Sequence, residues 1–382
     1  MLLMRNSENE TDIRSEIAAR QMITDKANLM YDVVIIGSGP AGSNLARLIG
    51  DQYHVLLIDK RNLDDEREEC RVGKCCGGLL APDAQRMIAK LGLGFPKDIL
   101  VHPQLFAVRA IDLTNNLERL YQRHYFNMDR ERFDRWMISI LPTSVKKAFN
   151  AVFRSYVEIS GGYEVKYRMD GQEKSVTTRV IIGADGAGSN VRKALYGASR
   201  LPDQYISIQE WFKSPQNVPY FTAVFDESIS DFYAWIIPKD HFLILGAALK
   251  PGADVWSKFD QLKVKLTASG FDFGQKIRTE GSLIFRPRKT SQFLTGQGGI
   301  ALIGEAAGAI SPSSAEGISY ALKTSSLLAK SLQPGIDGFP ARYRKYARVI
   351  QRNIFMKNLK SPAMYHPIVR KYVMRSGIKS IR

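Results

Sequence analysis

The chain has 382 residues, with 54 Lys and Arg against 38 Asp and Glu, a net charge of +16 and an apolar content of 45%. That composition is ordinary for a globular protein, and no run of about 18 uncharged apolar residues marks a membrane-spanning helix. Cys70, Cys75 and Cys76 all fall within seven residues, a spacing that fits neither a zinc site nor a disulfide scaffold and points to a reducing, cytoplasmic setting. Such a length suits one large or two interleaved domains.

Residues 1–29 are polar and lack a secretory apolar core. They read either as a short helical extension or as a consequence of start-site choice, and no chemistry is assigned to them. From Tyr31 the chain reads YDVVIIGSGPAGSNLAR. The β-branched run Val33 to Ile36 predicts a buried strand, followed by a glycine turn and a helix from about Asn44. Gly37 allows the tight turn, Gly39 lets the backbone approach a pyrophosphate, and Gly42 lets the helix pack on the strand. The helix N-terminus then turns free amides and its positive dipole end toward the phosphates. A second strand, His54 to Ile58, ends on Asp59, where such folds place the acid that holds the adenosine ribose. Strand, turn, helix, strand and acid in register define a dinucleotide site.

A charged loop, Lys60 to Arg71, leads to Val72-Gly73-Lys74-Cys75-Cys76-Gly77-Gly78-Leu79-Leu80 and a helix near Pro82. The small residues there let the backbone pass close to a bulky planar group. Strands are expected at Leu105–Asp112, Arg119–Tyr125, Ala151–Glu158 and Tyr163–Tyr167, with a helix starting near Met128. Val180 to Gly186 is a strand running into a second glycine turn. Alternating, aromatic-rich runs at Tyr205–Phe212, Tyr220–Phe225, Tyr233–Ile237 and Phe242–Ala248 predict an antiparallel sheet. Trp256–Ser269 reads as a helix, Gly299–Ile303 as a buried strand, and Gly317–Leu332 as a long helix. From Arg342 to Arg382 there are twelve Lys and Arg and no acid, three quarters of the net charge. Tyr343, Tyr346, Ala347, Ile350 and Ile354 fall at helical spacing opposite basic residues. That face either packs on the nucleotide domain or lies on an anionic bilayer. No nucleic-acid motif accompanies the charge, the five histidines are scattered, and no metal-ligand cluster is visible.

Three motifs in this order, GSGPAG, GADGAGS and ALIGEAAGAISPSSAEGIS, resemble the FAD-dependent aromatic hydroxylases and geranylgeranyl reductases. KCCGGLLAPDAQ and the segment Tyr233 to Pro238 resemble the geranylgeranyl reductase branch. GEAAG…SSAEGISYAL and the ending VMRSG are most similar to its bacterial CbrA-type flavoproteins. The resemblance implies an α/β fold: a Rossmann-like FAD-binding domain, an inserted antiparallel-sheet substrate domain and a helical C-terminal region. The implied layout is an extension at 1–29, FAD-binding parts at 30–104, 179–200 and 291–335, a mixed segment at 105–178 completing the FAD domain and contacting the substrate sheet, the substrate sheet at 201–290, and a basic helical region at 336–382.

Carried over residue by residue, Gly37, Gly39 and Gly42 would hold the FAD pyrophosphate and Asp59, commonly a Glu in the family, the adenosine ribose, with Pro40, Ala41 and Lys60 also among the cofactor-binding residues. Cys75, Cys76 and Gly77 would lie against the flavin, and Arg130 would contact the cofactor. Asp185 and Gly186 form the second fingerprint. Glu305 stands where most of the superfamily has Asp. Gly317 and Ile318 would begin the helix facing the flavin N1/O2 edge, where donors stabilise reduced flavin. Cys76 matches a family cysteine, and Cys75 replaces a proline. Cys76, or alternatively Cys75, reads either as a proton donor or a gate over the substrate near the flavin, or as a small buried residue packed beside the ring. Tyr233, Trp235 and Pro238 match a motif lining a lipid cavity, with Ile237 in place of Phe and Gly246-Ala247-Ala248 in place of Gly-x-Gly; Tyr233 and Trp235 also read as plain sheet core.

The implied function is an FAD-dependent oxidoreductase that reduces carbon–carbon double bonds of an apolar, isoprenoid or lipid substrate. The reductant would be NAD(P)H or an electron-transfer protein, since no glycine fingerprint after the first marks a separate NAD(P)H domain. Two rivals stand: an FAD-dependent aromatic monooxygenase, and a non-catalytic flavin-binding protein at the membrane surface. The expected location is the cytoplasm or the inner face of the membrane.

Overall fold

The computed structural model describes residues 30–64 and 74–381. The expected extension 1–29, Cys70 and most of the charged loop before Lys74 lie outside the described residues. Strands in chain order begin with β1 Met30–Ile36, β2 Val55–Ile58, β3 Leu79–Leu80, β4 Leu105–Asp112, β5 Leu117–Asn127, β6 Lys146–Ala148, β7 Ala151–Ile159, β8 Gly162–Met169 and β9 Gln172–Gly183. They continue with β10 Asp203–Lys213, β11 Phe221–Phe225, β12 Ala234–Lys239, β13 Phe242–Leu249, β14 Gln275–Arg286, β15 Gly296–Gln297 and β16 Ile300–Leu302. Helices are α1 Pro40–Ile49, α2 Pro82–Lys90, α3 Arg130–Ser139, α4 Asn190–Tyr196, α5 Val255–Ala268, α6 Ile318–Leu332, α7 Phe339–Tyr346, α8 Arg348–Lys360, α9 Pro362–Tyr365 and α10 Pro367–Ser376.

The first sheet has a parallel centre in the order β16-β9-β1-β2-β6, with Val33 opposite Val55 and Val180. Val33, Val34 and Ile35 are fully buried, as expected of a strand covered on both faces. The antiparallel hairpin β7–β8 extends this sheet from the N-terminal half of β9. Helix α1 crosses from β1 to β2 and packs on α6. It starts at Pro40, four residues before the sequence expectation, because proline is preorganised for the first helical position and Gly39 serves as the extended N-cap.

The second sheet runs β14-β10-β13-β12-β11-β4-β5-β3. It is antiparallel except between β4 and β11, which pair in parallel. So the segment 105–178 divides between the sheets: β4 and β5 join the second, and β7 and β8 the first. One face of the second sheet is closed by α5 through Phe259, Leu262 and Leu266. The other faces the first sheet across a cavity.

The C-terminal helices seal the seam. Tyr343, Ala347, Ile350 and Ile354 are buried in the core of the first sheet, so the predicted amphipathic face packs on the nucleotide-binding layer rather than facing outward. The Tyr343 hydroxyl donates to the carbonyl of Leu302 (3.0 Å). Further on, Arg370 forms a buried two-pronged pair with Asp112 at 2.7 and 2.9 Å, tying α10 to the end of β4. No helix among the described residues is long and apolar enough to cross a membrane.

Candidate active site

A cavity of about 1140 Å³ runs from the β1–α1 turn, between the sheets, to helices α8–α10. Its phosphate end is built by close backbone approach. Gly37 has φ of +104°, and a Cβ there would lie 2.5 Å from the Ala184 carbonyl oxygen. A Cβ on Gly42 would come within 1.8 Å of the Gly37 carbonyl oxygen. Gly42 therefore lies behind the cavity wall and serves packing, not contact. At Gly39, by contrast, a Cβ would meet nothing within 4 Å and would project into the cavity that Gly37, Gly39, Pro40 and Ala41 line. Helix α1 has no side-chain cap and no acid in its first turn, which leaves its N-terminal dipole free for an anion. A diphosphate fits that cradle, and FAD is the cofactor that the surrounding residues suit.

Asp59 stands at the end of β2 in the cavity wall, beside exposed Lys60. One of its oxygens accepts from the Ser38 amide and hydroxyl, both at 2.7 Å, and the other from the Arg61 amide at 2.8 Å. It thus braces the turn from the cavity wall. Arg61, which the sequence reading passed over, also reaches Asp134 (2.8 Å), and Asp134 holds Arg130 (2.9 Å). Burial pushes the Asp134 carboxyl up, but Arg130 and Arg61 more than reverse this and hold it below the usual carboxylate range. Arg130 ends the chain, donating to the Cys76 sulfur at 3.5 Å.

Cys75, Cys76 and Gly77 all line the cavity. Burial pushes the Cys75 thiol up to about 12, and its sulfur lies 3.9 Å from the Ser207 hydroxyl. The segment is clamped against β12: a Cβ on Gly77 would meet Ile237 at 2.4 Å. Buried Gln209, with its amide oxygen turned inward, accepts from Gly77 N (3.2 Å) and Trp235 Nε1 (3.1 Å). Lys239 donates to the carbonyls of Met128 (2.5 Å) and Gly78 (3.3 Å), and burial pushes its amine down to about 8.

Asp185 and Gly186 line the cavity beside the α1 turn. The Asp185 carboxylate accepts from the Ser189 hydroxyl and the Asn190 amide, so it also caps α4. Glu305 uses its extra methylene: one oxygen accepts from the Phe285 amide on β14 (2.9 Å), and the other pairs with Lys74 (3.5 Å). Gly317 is the N-cap of α6, and Ile318 its first residue; both border the cavity. Just before them Ala315 occupies left-handed backbone at φ of +48° in the cavity wall.

The second sheet supplies the apolar floor. Tyr233 and Trp235 line it, with Ile237 as the third residue on that face at period two. Pro238 does not join them. Strand alternation turns it from the cavity, and its carbonyl instead accepts from Asn127 (2.7 Å). The Trp235 indole lies flat on Gly246, where a Cβ would be only 2.3 Å from the ring. The Tyr233 hydroxyl donates to the Ser314 carbonyl (2.8 Å), and burial raises its phenol. Among the described residues no cluster of His, Cys, Asp and Glu could hold a metal.

This is the fold of the FAD-binding, Rossmann-type flavoproteins. A geranylgeranyl bacteriochlorophyll reductase-like protein of Thermoplasma acidophilum superposes with a TM-score of 0.74 at 18% identity, covering 91% of this chain and 99% of that one. PqsL of Pseudomonas aeruginosa, a probable FAD-dependent monooxygenase, superposes at 0.65 with 16% identity over 91% and 99%. The p-nitrophenol 4-monooxygenase PnpA of Pseudomonas putida superposes at 0.63 with 14% identity over 92% and 99%. No protein-family model matches the sequence. Among curated proteins, CbrA of Escherichia coli O6:H1 is 40% identical over 351 residues, 92% of this chain and 94% of that protein. CbrA of strain K12 is 39% identical over 354 residues, 92% and 98%. The chain belongs to the CbrA family.

Two outcomes follow from this geometry. Gly39→Val should fold with an apoprotein stability lowered by only about 1 kcal/mol, the cost of a poorer N-cap, yet purify without flavin absorbance, whereas Gly42→Ala should cost about 2 kcal/mol or more, because backbone must move. Full FAD content in Gly39→Val would contradict the cradle. For Lys239 the folded chain favours the neutral amine, so the unfolded chain binds the extra proton between pH about 8 and about 10.5. Stability should rise with pH through that window by up to about 3 kcal/mol. Denaturant midpoints of Lys239→Met should lack that rise relative to wild type.

Proposed function

We propose that the protein is an FAD-dependent oxidoreductase that reduces carbon–carbon double bonds of an apolar, isoprenoid or lipid substrate. The observation that carries this reading is the continuity of the cavity. It passes from the glycine turn, past the Cys75–Gly78 segment, to a largely aromatic end walled by Phe221, Phe225, Tyr233 and Trp235, with Arg123 and Lys357 also in its lining. A polar end for a dinucleotide and an apolar end for a hydrocarbon then meet at Cys76.

FAD, when bound, supplies the hydride chemistry. The chain's own residues position and protonate. The α1 N-terminus with Gly37 and Gly39 binds the diphosphate. The α6 N-terminus at Gly317 turns donors toward the reacting region. Trp235, seated on Gly246 and held by Gln209, gives a rigid aromatic wall that orients the chain and excludes water. Cys76 is the proton donor for the second carbon of the double bond, and Arg130 fixes its sulfur from behind. The proton is then restored from solvent. Reducing equivalents come from NAD(P)H or an electron-transfer protein docking transiently.

Structural neighbours that are named as monooxygenases share the fold and keep the oxygen-dependent reading as the rival. The two separate in one experiment. Pre-reduced holoprotein mixed anaerobically with polyprenyl compounds should reoxidise and yield saturated product. Cys76→Ala should slow that step about 100-fold or more with FAD content unchanged. Product that forms only in the presence of dioxygen would overturn the reductase reading.

A further inference from the structure

We propose that helices α8–α10 form a docking face for an anionic lipid bilayer, against which the apolar end of the cavity opens. Ten of the twenty large apolar side chains that are exposed among the described residues lie between Val349 and Ile381. That stretch is under a tenth of the 382-residue chain, so the concentration is far above what scattered surface residues would give. On α10, Ile368, Val369, Tyr372 and Val373 fall at i, i+1, i+4 and i+5 and so share one face. Ile368 is 60% exposed and Tyr372 67%. The opposite face is anchored, with Met374 buried and Arg370 paired to Asp112. On α8, Phe355, Met356 and Leu359 likewise point outward, while Ile350 and Ile354 are buried in the core.

Basic residues frame these apolar faces. Arg352, Lys360, Arg375 and Lys379 are exposed, and no acid occurs from Arg342 onward. A segment that is apolar on one side, basic at its margins and free of carboxylates is matched in charge to a surface of lipid phosphates. The same helices rim the cavity. Lys357 of α8, Met364 of α9 and Val373 of α10 line it, and Val373 is also exposed. The tail crosses the far side of the mouth: Ile381 N donates to Leu120 O (2.7 Å) on β5, next to the cavity-lining Tyr121, and Ile378 and Ile381 are exposed there. A bilayer against this face would pass a hydrocarbon into the cavity without its crossing water. That last step rests on the proposed function; the docking itself does not.

The test is flotation of the holoprotein with phosphatidylcholine vesicles, with and without phosphatidylglycerol, at low and high salt. Partition should be about tenfold or more greater with the anionic lipid and should fall as salt rises. The double variant Ile368→Ser/Tyr372→Ser should lower it at least about tenfold with FAD content intact, whereas Val264→Ser, which removes an apolar side chain that is 70% exposed on α5, should leave it unchanged. Failure to float with anionic vesicles, as a face for an acidic protein would behave, overturns the proposal, and so does unaltered flotation of the double variant. Reoxidation by detergent-dispersed substrate, read on the same preparations, separates the two ideas. Intact flotation without reoxidation removes the reductase reading alone; reoxidation without flotation removes the docking face alone.

Discussion

The structure depends on one steric constraint, the contact between backbones at the β1–α1 turn. A single added Cβ at Gly42 or Gly37 would enter the space of a peptide carbonyl. Strand β1, strand β9 and helix α1 can only meet where side chains are absent, and where they meet the helix N-terminus is left aimed at an open space. The same economy recurs at Gly304, with φ of +58°, where a Cβ would lie 2.9 Å from that of Ala41. Close-packed interiors tolerate such contacts only when the residues are fixed, so the glycine positions and the cavity are one feature.

Polar networks then hold the two sheets at a set distance across that cavity. Glu305 reaches from the first sheet to an amide of β14, and the Arg61–Asp134–Arg130 chain runs from the end of β2 to Cys76. Arg192 is fully buried and donates to the carbonyls of Ala306, Arg200 and Gln292, fixing the segment that carries Glu305. Arg61–Asp134 and Glu305–Phe285 join residues far apart in sequence, and removing Asp134 would leave the buried Arg130 charge without its carboxylate. The supports of the site are buried and bonded, and they fix Cys76 at a set position in the cavity wall.

Much of this was legible in the residues, for physical reasons that differ by element. The Val33–Ile36 run, the glycine spacing and Asp59 describe local geometry, so β1, α1 and β2 could be read directly. Strands β4 and β5 were legible as strands by alternation, but alternation carries no information about which sheet a strand joins. The bonds of Arg61 to Asp134, Gln209 to Trp235 and Lys239 to Met128 span 73, 26 and 111 residues, and only folding brings those groups together. Pro238 is a different case: period two already places it opposite Trp235 and Ile237, and a motif match overrode that rule. The tail's apolar stripe was legible at Tyr343 to Ile354, yet its burial left a second stripe, on α8 and α10, as the exposed one.

The most direct measurement is alkylation of the three cysteines, mapped by mass spectrometry in the apoprotein and the FAD-loaded protein. Cys76, half-buried in the cavity wall, should react without FAD and be protected with it. Cys75, with its thiol held near 12 by burial, should stay unmodified in both. Equal labelling of Cys76 with and without bound FAD would contradict the placement of the flavin against this segment, and the site as described would not stand.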